Sequence, residues 1–99
     1  MKPEEIRIAI AEACGWRDIR GLNWTGVAPN RDLNYRNGVP DYLNDLNACH
    51  EMENVLLRDM NKLWYPYCKR LHELTNGIGE GATAPQRCDA FLKTLGLWK

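Results

Sequence analysis

Apolar side chains recur at helical spacing in four stretches of the chain. Residues three, four and seven positions apart share one face of a helix, so each stretch has an apolar and a polar face. The first opens on Pro3, carries Glu4 and Glu5 in the turn where a helix favours negative charge, and ends at Gly15. The pattern predicts helices near residues 3–14, 41–57, 59–75 and 83–95.

The last helix has the clearest start, buried face and end. Thr83 and Gln86 have the spacing of a capping box, and Pro85 suits a first turn, where its missing N–H has no helical partner to lose. Gly96 supplies the left-handed residue that ends many helices. The apolar residues at helical spacing predict one buried stripe of Ala84, Cys88, Phe91, Leu92 and Leu95.

The second and third helices have less certain limits. Pro40 and Asp41 can open the second helix, but Asp45 is an equally good cap. In the third, Pro66 must either kink the helix or mark a fresh start after Trp64.

Helical periodicity disappears between Trp16 and Val39, where Gly, Pro and Asn interrupt the chain. Residues 19–27 can pair as a short hairpin, although their alternation is poor. A connection of this length is typical of a functional or a disordered segment, and its aromatic residues disfavour disorder. We therefore expect a single domain over residues 1–99 that is mainly α. The expected architecture is a compact bundle of about four helices with an irregular or β-hairpin segment after the first; an α+β fold is the alternative.

Composition says more about the cellular location and the binding partners of the protein than about its activity. Thirteen basic and thirteen acidic residues give no net charge, which disfavours binding to nucleic acid driven by overall charge. The four cysteines form no C-x-x-C and are interpreted as reduced core residues, which favours the cytoplasm. No apolar run approaches the roughly 20 residues of a membrane span, so we expect no membrane association.

Two blocks, VPDYLNDLNACHEMENVL (39–56) and ATAPQRCDAFLKTLGLW (82–98), resemble signature stretches of the phage ABA sandwich domain family. The opening EEIRIAIAEACGW (4–16) is similar to the usual N-terminus of that family. The resemblance implies a bacteriophage or prophage protein in the cytoplasm of a bacterial host. It carries over no catalytic or binding residues. Where longer members are expected to place strands, this chain has a helical pattern and a glycine link.

Candidate chemistry is sparse. His50 with Glu53, and Cys68 with His72, have the spacing of two metal ligands on one helix face, but a site needs further ligands from elsewhere. Carboxylates such as those of Glu51 and Glu53 are explained by solvated helix faces. We expect no metal, no cofactor and no catalytic residues.

The segment from Trp16 to Gly38 is the predicted functional region. Arginine, tryptophan and tyrosine are common in protein–protein hot spots, and the same residue types bind nucleotides. The candidate binding residues are Arg17, Arg20, Trp24, Arg31, Tyr35 and Arg36.

The preferred hypothesis is a small, phage-encoded, non-enzymatic binding protein that counters host defence by inhibiting a host or defence-system protein. Alternatives are sequestration of a nucleotide signal, a virion or assembly component, and a small metal- or thiol-dependent hydrolase. The extent of the apolar stripes, together with Trp98 at an expected exposed end, also predicts a homo-oligomer.

Overall fold

A computed structural model describes residues 1–29, 31, 36–77 and 81–99. Within these residues the protein is mainly α, with a small antiparallel sheet after the first helix, as the sequence predicts. No helix in this part of the chain is long and apolar enough to cross a membrane. In chain order, the elements are α1 (Pro3–Ala13), β1 (Arg17–Arg20), β2 (Thr25–Val27), β3 (Asn37–Gly38), α2 (Leu46–Asp59), a 3-10 turn (Asn61–Leu63), α3 (Trp64–Leu74) and α4 (Ala84–Thr94).

The second helix begins at the later of its two candidate starts. Asp45 caps α2, because its carboxylate accepts a hydrogen bond from the Asn47 backbone N–H at 2.9 Å. The expected start at Pro40 and Asp41 is therefore wrong. The Asn44 side chain donates to the Asp41 carboxylate at 3.1 Å, and the segment between them forms a turn.

The third helical stretch is interrupted before its proline. A 3-10 turn ends at Leu63, and α3 starts afresh at Trp64. Pro66 then lies in the first turn of α3, where no helical hydrogen bond is lost. The proline consequently marks a new helix start and introduces no kink.

The predicted cap and glycine end of the last helix are confirmed, and its predicted stripe is buried except at Leu95, which is half-buried. Thr83 accepts a hydrogen bond from the Gln86 backbone N–H at 3.3 Å, and the Gln86 amide oxygen accepts from the Thr83 N–H at 2.9 Å. Gly96 has a φ of 72°, and the Leu97 N–H closes the helix end onto the Leu92 carbonyl at 2.9 Å. Trp98 differs from expectation: it is half-buried, with the Lys93 ammonium 5.1 Å from its ring centroid.

The sheet has the order β1-β2-β3 with antiparallel neighbours. Its register slips between Arg17 and Arg20, and both Asp18 and Trp24 adopt positive φ. These irregularities explain why the hairpin shows little alternation in the sequence. Gly26 is buried, and a Cβ there would lie 3.3 Å from the Arg17 carbonyl oxygen and from the side chains of Ile19 and Val39.

Helix α4 is the centre of the domain because it packs against each of the other three helices. The core residues that are completely inaccessible to solvent include Ile10 of α1, Met52 of α2, Tyr67 of α3, and Phe91 and Leu92 of α4.

A cluster of charged and polar side chains lies within this core and connects α2, α3 and α4. Arg87 of α4 donates to one carboxylate oxygen of Glu53 on α2 at 2.8 Å, and the Tyr67 hydroxyl of α3 donates to the same oxygen at 2.6 Å. Arg87 also donates to the Ala82 carbonyl at 3.1 Å, and the other Glu53 oxygen lies 3.2 Å from His50 Nδ1. Glu53 and Arg87 are each only 8% exposed. The interpretation of Glu53 as a solvated carboxylate is therefore wrong, since it is buried and accepts hydrogen bonds from Arg87 and Tyr67 on two other helices.

Three of the four cysteines are buried and all four are free thiols. Cys49 of α2 and Cys88 of α4 both direct their sulfur atoms at the Tyr42 carbonyl oxygen, at 3.0 and 3.2 Å. Each thiol can donate a weak hydrogen bond, so the pair provides donors to a backbone oxygen inside the core.

Stability is expected to fall in alkali because several neutral groups resist ionisation. Burial raises the pKa of Cys14 to about 12 and lifts the pKa values of the Tyr42 and Tyr67 hydroxyls above their usual range. In the unfolded chain these groups ionise near ~8.5 for Cys and ~10 for Tyr. Their contribution is complete below those values and is lost as pH rises towards the folded-state pKa values.

The urea midpoint should therefore decrease steadily above roughly pH 9. Tyrosinate absorbance measured alongside circular dichroism provides the check. A folded chain with full helical signal should show less tyrosinate than the denatured chain at the same pH. Equal tyrosinate absorbance with the helices intact would contradict the assignment.

Candidate functional site

The described candidate binding residues are distributed along the sheet and the loop that follows it. Arg17 and Arg20 belong to β1, Trp24 immediately precedes β2, and Arg36 immediately precedes β3. Arg31 lies in the intervening loop, and Tyr35 lies outside the described residues.

Arg36 is committed to the fold. Its guanidinium donates to the Asp18 carboxylate at 2.7 Å, to the Asp18 carbonyl at 2.8 Å and to the Thr25 carbonyl at 3.2 Å. These contacts join the segment before β3 to both β1 and β2. Since the Arg36 side chain is only 24% exposed, it is a structural clamp for the hairpin.

Trp24 is also used inside the protein. Its half-buried ring packs against the core, and the Arg7 guanidinium lies 4.0 Å from the ring centroid. The same guanidinium donates to the carbonyls of Val39 and Pro40. Arg7 therefore joins α1 to the β1–β2 turn through a cation–π contact and to the chain after β3 through two hydrogen bonds. The sequence gives no indication of this role, because Arg7 looks like any polar residue of an amphipathic helix.

The exposed cations of the region are Arg17, Arg20 and Arg31. Arg17 donates to the Arg31 carbonyl at 2.6 Å, which brings the loop residue back beside β1. Arg20 is 63% exposed, and its one ion pair among the described residues is a long one, at 3.8 Å, with Asp18. A surface pair of this kind adds little stability, so Arg20 remains available to a partner.

Leu22 is the residue that sequence reasoning missed. It occupies the turn between β1 and β2 and is fully exposed, at 103% of its reference accessibility. Beside it, the Thr25 hydroxyl donates to the Asn23 side-chain oxygen at 2.8 Å and orders the turn. An isolated leucine between Gly21 and Asn23 was the available signal, but it identifies a tip only once the hairpin register is known.

The other candidate chemistry does not assemble into a site. Within the described residues, no group of three or more His, Cys, Asp or Glu side chains is placed to hold a metal ion. Glu53 is engaged by Arg87 and Tyr67. Burial raises the pKa of Cys68, which disfavours the thiolate that nucleophilic catalysis would need.

Comparisons with known protein families, with curated proteins and with solved structures found no match to this chain. The resemblance to the phage ABA sandwich domain family therefore stays a prediction. Any functional assignment therefore rests on the residues and contacts of this structure.

Proposed function

We propose that the protein is a non-enzymatic binding module that engages a protein partner through the hairpin, defined here as residues 17–27. The observation that carries this proposal is Leu22, a fully exposed leucine at the tip of an ordered turn. Leu22 makes no contribution to the core, so its apolar surface is available for burial against another molecule.

The attachment of the hairpin favours recognition by a rigid element. Arg36 joins the two strands, and the contact between Arg7 and Trp24 fixes the turn that also contains Leu22. An element that is already ordered loses less conformational entropy on binding than a flexible loop does. The hairpin can consequently present Leu22 without a large ordering cost.

The exposed charges specify the chemistry of the partner. Arg20 lies at the end of β1 beside the turn that holds Leu22, whereas Arg17 and Arg31 lie together at the opposite end of the hairpin. Asp18 is partly neutralised by Arg36. Complementary surfaces place an apolar pocket against the leucine and carboxylates against the arginines. The partner is therefore proposed to be a protein with a small apolar pocket and an acidic surface that extends from one side of it.

We further propose that this partner belongs to a bacterial host or its defence system and that binding inhibits it in the host cytoplasm. The phage-like blocks at 39–56 and 82–98 support this setting. Inhibition by a small protein needs only a surface that blocks the partner, which accords with a binding element and no assigned catalytic group.

Site-specific crosslinking in living bacterial cells tests the proposal. A photoreactive residue placed at position 22 should crosslink to one host protein. Position 57 is the matched control, because Leu57 is also exposed, at 49%, but lies on α2. The same crosslinks from both positions, or crosslinks from position 22 only to other copies of this chain, would contradict the proposal.

A further inference from the structure

A cavity of about 390 Å³ lies between the chain that follows α1 and one face of α2. Trp16 and Pro29 line one wall, while Cys14 and Tyr42 lie at its inner side. Small-molecule sites in proteins have volumes of about 300–1,000 Å³, so this cavity is of a size for one small ligand. Its residues are distinct from the hairpin surface at residues 17–27.

The inner side of the cavity is uncharged. Cys14 is 8% exposed and Tyr42 is 2% exposed. Burial holds the Cys14 thiol in its protonated form by raising its pKa to about 12, and it raises the pKa of the Tyr42 hydroxyl further still. A buried ionised group here would lack a counter-charge, so the part of a ligand that enters must be neutral.

The outer rim is a polar stripe on α2. Glu51, Asn54 and Arg58 line the cavity and follow the i, i+3, i+7 spacing of one helix face. Two turns of helix, about 10 Å, separate the acidic end at Glu51 from the basic end at Arg58. Asn54 lies between them and offers both a hydrogen-bond donor and an acceptor.

Arg58 is oriented by its neighbour. Its Nε and Nη2 atoms each donate to one Asp59 carboxylate oxygen at 3.0 Å. Among the described residues, Nη1 makes no hydrogen bond of this kind, and the side chain is 68% exposed. The guanidinium is thus held by one edge and can donate to an anion through the remaining N–H groups.

We propose that this cavity binds a flat, neutral heteroaromatic ring carrying one anionic group, the chemistry of a nucleoside monophosphate. The ring stacks on Trp16, its polar edge meets the Asn54 amide, and the phosphate lies at the Arg58 end, away from Glu51. Aromatic stacking accepts any base, because every base has a π face, whereas the amide selects among base edges. The limited volume favours a mononucleotide over a larger, linked nucleotide.

Titration followed by amide chemical shifts tests this assignment with the adenosine, guanosine, cytidine and uridine monophosphates. At least one should give saturable shifts at Cys14, Trp16 and Asn54. The corresponding nucleosides and inorganic phosphate, titrated separately, distinguish ring recognition from anion binding. No saturable change with any of the four monophosphates at millimolar concentration, or equal responses to phosphate alone, would overturn the proposal.

Variants separate the two contacts. Arg58→Gln should weaken binding of the monophosphate roughly tenfold, the loss expected for one charge-assisted hydrogen bond, while leaving the nucleoside unaffected. Trp16→Leu should weaken both ligands, and Trp16→Phe should restore much of the binding because it keeps an aromatic face. Arg70→Gln, at an exposed arginine on α3, is the matched control and should change nothing. An unchanged affinity in Arg58→Gln would overturn the placement of the phosphate.

Discussion

Replacing Arg87 by methionine is expected to lower the free energy of unfolding by about 3–5 kcal/mol. The change removes the cation that faces the Glu53 carboxylate at 2.8 Å in the core. Glu53 keeps the hydrogen bond from Tyr67 and the contact with His50, but its buried carboxylate loses the guanidinium that faces it inside the core. The loss therefore arises mainly from the carboxylate left behind, and only partly from the packing of Arg87.

The neutral double variant Glu53→Gln with Arg87→Met separates these contributions. A glutamine oxygen can still accept from Tyr67, so the double variant should recover at least half of the stability lost by the single one. Urea denaturation followed by circular dichroism measures both. A single-variant loss below about 1 kcal/mol, or a double variant as unstable as the single one, would show that the pair is not electrostatically isolated from water.

The second large effect concerns recognition. Combining Leu22→Asp with Arg20→Glu should weaken binding to the crosslinked partner at least ~100-fold, equivalent to about 2.7 kcal/mol. The first change removes the apolar tip and the second reverses the charge beside it, so both oppose an acidic partner surface. The melting temperature should stay unchanged, because Leu22 is fully exposed and the ion pair of Arg20 with Asp18 is long, at 3.8 Å.

A matched pair on the helices controls for the added negative charge. Leu57→Asp with Arg70→Glu makes the same substitutions at exposed sites outside the hairpin and should leave the affinity within about twofold. Trp24 is a poor choice for such a test because its ring packs on the core beneath Arg7. A double hairpin variant that binds as tightly as the unmodified protein would contradict the assigned surface.

The features that could be predicted from sequence are those that depend on residues a few positions apart along the chain. The capping box of Thr83 and Gln86 and the stop at Gly96 depend only on near neighbours, so they could be identified before the fold was known. The later start of α2 depends on a turn in which Asn44 satisfies Asp41. Spacing along the sequence did not decide between Asp41 and Asp45 as the cap of this helix.

The buried ion pair could not be predicted in the same way. Glu53 and Arg87 are 34 positions apart, and each stands on its own helix among other polar residues. Spacing within one helix says nothing about which charged residues of two different helices will meet. Packing of α2, α3 and α4 around one point decides the pairing.

Composition located the candidate functional segment but did not separate structural from exposed residues. Arg36 and Trp24 stabilise the hairpin, whereas Arg17, Arg20 and Arg31 are exposed. That division depends on the slipped strand register and on the positive φ of Trp24. Neither is visible as alternation along the chain.

The two sequence blocks at 39–56 and 82–98 supply contacts that stabilise the core. Block 39–56 contributes Tyr42, Cys49 and Glu53, while block 82–98 contributes Arg87 and Cys88. The thiols meet at the Tyr42 carbonyl, and the charges meet in the core. These contacts are scaffold, and block 39–56 also lines the proposed nucleotide cavity through Tyr42, Glu51 and Asn54. The proposed protein-recognition surface lies in the segment between the first helix and the first block.

The central claim is that the hairpin tip contacts the partner. Hydrogen exchange tests it most directly when the free protein is compared with its non-covalent complex with the partner that crosslinking identifies. The account predicts slower exchange at residues 20–24 in the complex and unchanged exchange on the outer face of α3, where Tyr65 is 76% exposed. Protection confined to α3, with the hairpin tip exchanging as fast as in the free protein, would contradict it.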